Sequence, residues 1–150
     1  MRAPVCAVVL VSLLAPLGAS GAALSQAACA KADFEAVVNA AGAALRDLAQ
    51  QNKPVFQAKL NQLKDKRSWS NDELIKQAEP LVRDETIAGY DKKSQELLAR
   101  ITGAGQNKAD PPAPNCALLT SLQADLKLLV ETQQAKWTRM FGKLDQELAK

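Results

Sequence analysis

Cys29 and Cys116, nearly ninety residues apart in the 150-residue chain, are the feature that most narrows its choice of folds. A disulfide needs its two Cα atoms within ~7 Å, so joining these cysteines fixes which helix ends lie together. The third cysteine, Cys6, falls in a stretch with the three parts of a secretory signal. In "MRAPVCAVVLVSLLAPLGASGAALSQA", Arg2 supplies the positive start, Val5 to Leu17 the apolar run, and a Gly/Ala/Ser cluster the cleavage region. Ser20-Gly21-Ala22 places small residues three back and one back from a cut after Ala22. Residues 1–22 are therefore expected to be a cleaved signal peptide, and residues 23–150 a single domain in the periplasm or outside the cell. The apolar run holds Pro16 and is shorter than the ~20 residues of a membrane-spanning helix, so the mature chain is expected to lack a transmembrane span. Gln26 stands where a lipoprotein signal wants an apolar residue, so Cys29 is not expected to carry lipid. With Cys6 removed, two cysteines remain in an oxidising compartment, and one disulfide is the simplest outcome.

The mature composition is helical: rich in Ala, Leu, Gln, Lys and Glu, with aromatics at 4%. Phe34, Val38, Ala41, Leu45 and Leu48 recur at helical spacing, and after Pro54 the stripe resumes as Val55, Phe56, Leu60 and Leu63. A first helix is expected over about 33–67, kinked near Pro54. Lys64, Lys66 and Arg67 crowd its end, where the helix dipole favours cations. In "WSNDEL", Ser70 and Glu73 form a capping box, and Trp69 and Leu74 take the positions of a hydrophobic staple. This opens a second helix, expected over 71–102, kinked near Pro80 and stopped by Gly103. A Gly/Pro-rich connector, 103–115, follows. Asn115 then caps a third helix over 116–149, whose seam runs through Leu119, Leu122, Leu126, Leu129, Gln133, Trp137, Met140, Leu144 and Leu148.

Three helices of this length each span ~50 Å. Arranged up-down-up, the first and third begin at the same end, and Cys29 meets Cys116. A reversal at Pro54 would give four alternating helices and put the cysteines at opposite ends. The expected fold is thus all-α: an elongated antiparallel up-down-up bundle of three long helices, with one disulfide joining the starts of the first and third. That bond closes a loop worth about 4–5 kcal/mol in the chain-entropy model. Whole-domain stabilities are typically ~5–15 kcal/mol.

The chain contains no histidine, which removes the commonest general base and metal ligand. It also lacks CxxC, HExxH, GxSxG and any Gly-rich phosphate loop. No catalytic residue, no metal ligand and no cofactor is assigned, and an enzyme is not expected. Basic residues number 19 against 16 acidic. Losing Arg2 leaves an excess too small to call for a nucleic acid. Two candidate sites remain. Asn52, Glu85, Gln133 and Trp137 fall near mid-bundle, where a polar layer would bind a small ligand or fix helix register. In "KWTRMFGKL", Lys136, Arg139 and Lys143 share one face, and Phe141 lies off the main seam beside Gly142. These four residues form a candidate surface for a partner protein, for self-association or for contact with an anionic membrane surface. The expected function is a secreted or periplasmic interaction protein, an adaptor, chaperone-like or envelope-stress factor. The alternative is a small-molecule binder that uses the polar layer.

Overall fold

The computed structural model describes residues 29–106 and 115–150. The expected signal peptide with Cys6, and residues 107–114 of the connector, lie outside the described residues. Four helices make up the rest: α1 (Lys31–Arg67), α2 (Asn71–Val82), α3 (Glu85–Gln106) and α4 (Cys116–Ala149), with no strand among the described residues. The all-helical expectation holds, and so does the Cys29–Cys116 disulfide, whose Cα atoms are 5.2 Å apart.

The number of helices differs from the sequence-based expectation, and the reason is Asp84. Pro80 has no N–H to return to the preceding turn, which weakens the helix there without ending it. The break comes at Arg83, whose φ of −139° and ψ of 87° are not helical. Asp84 then restarts the chain: its Oδ1 accepts the Ile87 N–H at 2.8 Å, and its carbonyl accepts the Ala88 N–H at 2.8 Å. A side chain able to cap a new helix outcompetes continuation of the old one. The expected second helix over 71–102 is therefore two helices. The second runs on to Gln106, because Gly103 keeps a negative φ and does not terminate it.

α1 passes through Pro54 without a break. Pro54 and Gln50, whose carbonyl loses its helical partner there, are both exposed, so the free acceptor is open to solvent. α1 also begins two residues earlier than expected. The Asp33 carboxylate reaches back to the Ala30 N–H at 2.8 Å, which sets it in the third helical position. At the far end Ser68 adopts the left-handed conformation (φ 53°), and the Ser68 and Trp69 N–H groups bond the Asp65 and Lys64 carbonyls. This closes α1 as a Schellman turn with serine in glycine's usual place. α2 opens with the expected capping box, Glu73 N–H to Ser70 Oγ at 3.2 Å and Ser70 N–H to Glu73 Oε2 at 2.7 Å. Asn115 Oδ1 caps α4 by accepting the Leu118 N–H at 3.2 Å.

α4 is the central helix. α1 lies along one side of it in the same direction: the disulfide joins their starts, the Phe56 and Trp137 rings are 5.8 Å apart, and Arg67 pairs with Glu147 at 3.6 Å near their ends. α3 lies along the other side in the opposite direction, with Arg100 on Asp125, Ser94 on Gln133 and Asp84 on Arg139. Both make extensive contact with α4, and neither makes comparable contact with the other. The best-packed region is where the end of α1, α2 and the end of α4 meet. There Leu63, Leu81 and Leu144 are buried against Phe56, Leu60, Trp69 and Leu148. Trp69 is a brace between helices, as its staple position implied. Ile87 and Leu97 anchor α3. By contrast, Leu63 is the one fully buried residue of α1, and Phe34, Val37, Leu45 and Leu48 are only half-covered.

Removing side-chain volume at the α1–α2–α4 junction is expected to be costly. Leu63→Ala should destabilise by about 2–5 kcal/mol. Ile75→Ala on exposed α2 surface should stay within about 0.5 kcal/mol. Urea denaturation of the two variants measures the difference.

Candidate functional site

The residues that the sequence grouped into a mid-bundle polar layer do not converge. Asn52 is half-buried on α1 and donates from Nδ2 to the Leu48 carbonyl of its own helix at 2.7 Å. Glu85 is exposed in the first turn of α3. Gln133 turns toward α3, where its Nε2 donates to Ser94 Oγ at 2.7 Å. Ser94 is buried, and its hydroxyl in turn donates to the Tyr90 carbonyl at 2.8 Å. Trp137 turns the other way, onto α1. Gln133–Ser94–Tyr90 is therefore a short satisfied chain between two helices, and a register lock of that kind leaves few polar atoms for a ligand.

The basic face of α4 also differs from expectation. Lys136, Arg139 and Lys143 face α3 and the end of α2, where each finds an internal partner. Lys136 pairs with Asp91. Arg139 donates to Asp84 Oδ2 from Nη2 at 2.8 Å and from Nε at 3.1 Å. Lys143 donates to the same oxygen at 2.9 Å and also to the Pro80 carbonyl. Spacings of three and four, which read as a solvent-facing cationic stripe, instead match carboxylates at 84 and 91 on the antiparallel neighbour. Phe141 is likewise no exposed aromatic. It stacks on Trp137 (centroids 5.9 Å, 27° between planes) and lies 6.2 Å from Phe56, so three rings fill the α1–α4 seam. An offset or edge-on aromatic group of this kind adds ~0.5–1.5 kcal/mol per pair to the area it buries.

Sequence reasoning missed the structural role of Asp84, whose carboxylate takes bonds from Ile87, Arg139 and Lys143. One oxygen caps α3 and the other takes Arg139 and Lys143, while Lys143 closes the last turn of α2 through Pro80. The carboxylate thus ties three helices at one point. The Ile87 N–H first, then the Lys143 and Arg139 bonds, hold its pKa far below the usual carboxylate range. Such a group stays ionised and is suited to holding structure, not to moving protons. The cue was present in the sequence: an Asp just before a renewed apolar stripe, four residues after a helical proline.

Two of the open clefts beside α4 bear on function. One, of about 440 Å³, lies between α1 and α4 and is lined by Val37, Ala40, Ala41, Leu126 and Val130, with Lys127 and Glu131 at its edge. The other, about 480 Å³, is bordered by Tyr90, Glu131, Gln134, Thr138 and Arg139. The first is mainly apolar and the second more polar. Among the described residues no three Cys, Asp or Glu side chains gather as a metal site would need.

Linkage to protons follows from Asp84. A folded pKa below the unfolded one contributes stability that is complete above the unfolded value of about 4 and is lost as pH falls toward the folded value. Asp84→Asn keeps a capping oxygen but loses the charge. It should lower the thermal midpoint by a few degrees at neutral pH, and the gap to the parent should narrow below about pH 4. Thermal unfolding of both proteins across that range checks it.

No protein-family model matches this sequence, and no curated protein or solved structure is similar to it.

Proposed function

We propose that the protein is a non-catalytic interaction module of the periplasm or extracellular space, an adaptor, chaperone-like or envelope-stress factor built as an elongated helical bundle. The observation that carries this reading is the apolar cleft between α1 and α4. Exposed Ala40 and half-buried Val37, Ala41 and Val130, with buried Leu126 beneath them, leave a partly uncovered apolar strip beside the half of α1 that buries nothing completely. Val38, beside it, is 46% exposed. An apolar strip with small side chains on one wall suits the nonpolar face of an amphipathic helix, since alanines let a second backbone approach closely. The charged edge at Lys127 and Glu131, paired at 3.8 Å, would form the rim of such a contact.

The compartment is part of the proposal. Support comes from the n-region, apolar run and small-residue cluster of residues 1–22, and from a disulfide of the kind that persists in oxidising surroundings. A described helix long and apolar enough to cross a membrane is absent. The small-molecule alternative has less behind it, because Asn52, Ser94 and Gln133 each donate to an acceptor within the fold.

Native mass spectrometry of the protein recovered from periplasm tests the reading. The expected species lacks residues 1–22, keeps its disulfide and carries a second polypeptide, whether another copy or a partner. Ala40→Glu places a charge on an exposed wall of the cleft, where stability should change by less than about 0.5 kcal/mol. It should weaken the association at least tenfold with an unchanged thermal midpoint. A monomer holding a discrete small molecule would favour the alternative, and association indifferent to Ala40→Glu would remove the cleft from the proposal.

A further inference from the structure

The two halves of α1 are held in different ways. Past Pro54, α1 is bound to the rest of the molecule by Phe56 on Trp137 and Phe141, by the Lys59–Asp145 and Arg67–Glu147 pairs, by Lys66 on the Leu148 carbonyl, and by Leu63 in the core. Before Pro54 the polar bonds found among the described residues stay inside α1 and its cap: Lys31 to Glu35, the Ala30 N–H to Asp33, and Asn52 to Leu48. No residue in that stretch is fully buried. What joins it firmly to α4 is the disulfide at its start. Pro54 itself marks the boundary, because a turn of helix without an N–H couples the two halves less tightly than an ordinary turn.

We infer that the Cys29–Cys116 bond is a redox latch: breaking it lets residues 31–53 of α1 open from α4 while the rest of the fold stays closed. Cys116 is exposed and Cys29 half-buried, so the bond is within reach of a soluble dithiol. One thiolate of that dithiol bonds to the Cys29 sulfur as the Cys29–Cys116 bond breaks. Cys116 departs as a thiolate, favoured by its place at the first position of α4, and takes a proton. The second thiolate of the reductant attacks the mixed disulfide and releases Cys29 as a thiol. The protein has gained two electrons and two protons, and the reductant leaves as its own disulfide. Without the bond, the half-covered contacts of Phe34, Val37, Leu45 and Leu48 must hold the segment alone. The opening takes with it the α1 wall of the apolar cleft and uncovers Leu126 and Val130 of α4. The effect on partner binding rests on the reading of that cleft given above; the opening itself does not.

Hydrogen–deuterium exchange on the full chain tests the latch. The protein is compared with its disulfide intact and after reduction with dithiothreitol and alkylation of both thiols. The Cys29→Ser, Cys116→Ser double variant provides the same comparison without a bulky adduct. Amides of residues 31–53 should exchange at least ten times faster in both open forms. Amides of 56–67, 71–82 and 136–148 should keep their protection. Unchanged protection across 31–53 would overturn the inference, and so would a loss spread evenly over all four helices. Because the readout is local exchange without any partner, it stands or falls separately from the association measured for the cleft.

Discussion

α4 has to satisfy two neighbours that do not pack extensively on each other, and it does so with a different balance of apolar and charged contacts toward each. Toward α1 it presents Leu126, Val130, Trp137 and Phe141, a seam of apolar and aromatic side chains. Toward α3 it presents Asp125, Gln133, Lys136, Arg139 and Lys143, each matched by a polar or charged group on the antiparallel partner. Apolar burial, which includes Ile87 and Leu97 of α3 as well as Leu63 of α1, supplies most of the free energy, since exposed and half-exposed ion pairs contribute little individually. The polar side fixes register: sliding α3 by one turn would break every one of these matches together.

Among the described residues, most cations are committed to partners within the chain. Lys66 and Arg67 at the end of α1 bond the Leu148 and Glu147 carbonyls at the end of α4, and Lys143 bonds the Pro80 carbonyl near the end of α2. Helix ends leave carbonyls without intrahelical partners. Because α1 and α4 run in the same direction, the terminal cations of one lie beside the terminal carbonyls of the other. The basic cluster at 64–67 thus serves a neighbouring helix end as well as its own dipole.

Which features could be read from the sequence depended on how locally each was encoded. The capping box at Ser70 and Glu73, the Asn115 cap, the Trp69 brace and the Cys29–Cys116 pair were legible, because a few adjacent residues or a simple count specify them. The break at Arg83 was not, because proline was read as a kink and the competing cap at Asp84 went unweighed. Phe141 and the Lys136–Arg139–Lys143 stripe were misplaced for a shared reason: periodicity identifies a face, but what covers that face is decided by another helix. Gln133 was rightly placed toward the interior. Its partner, Ser94, is a small polar residue that hydropathy alone does not distinguish from surface.

Ion pairs and apolar burial both hold α1 and α3 to α4, with more of the ion pairs on the α3 side, so the two interfaces do not respond equally to salt. Added salt screens charges over distances comparable to the ~8–10 Å Debye length of ordinary buffers, and the screening shortens further as salt rises. The ionic part of the grip on α3 weakens accordingly, while excluded salts such as sulfate strengthen the apolar burial that holds both helices. Ionic strength and ion type thus act on different parts of the contacts that hold two helices to a shared third.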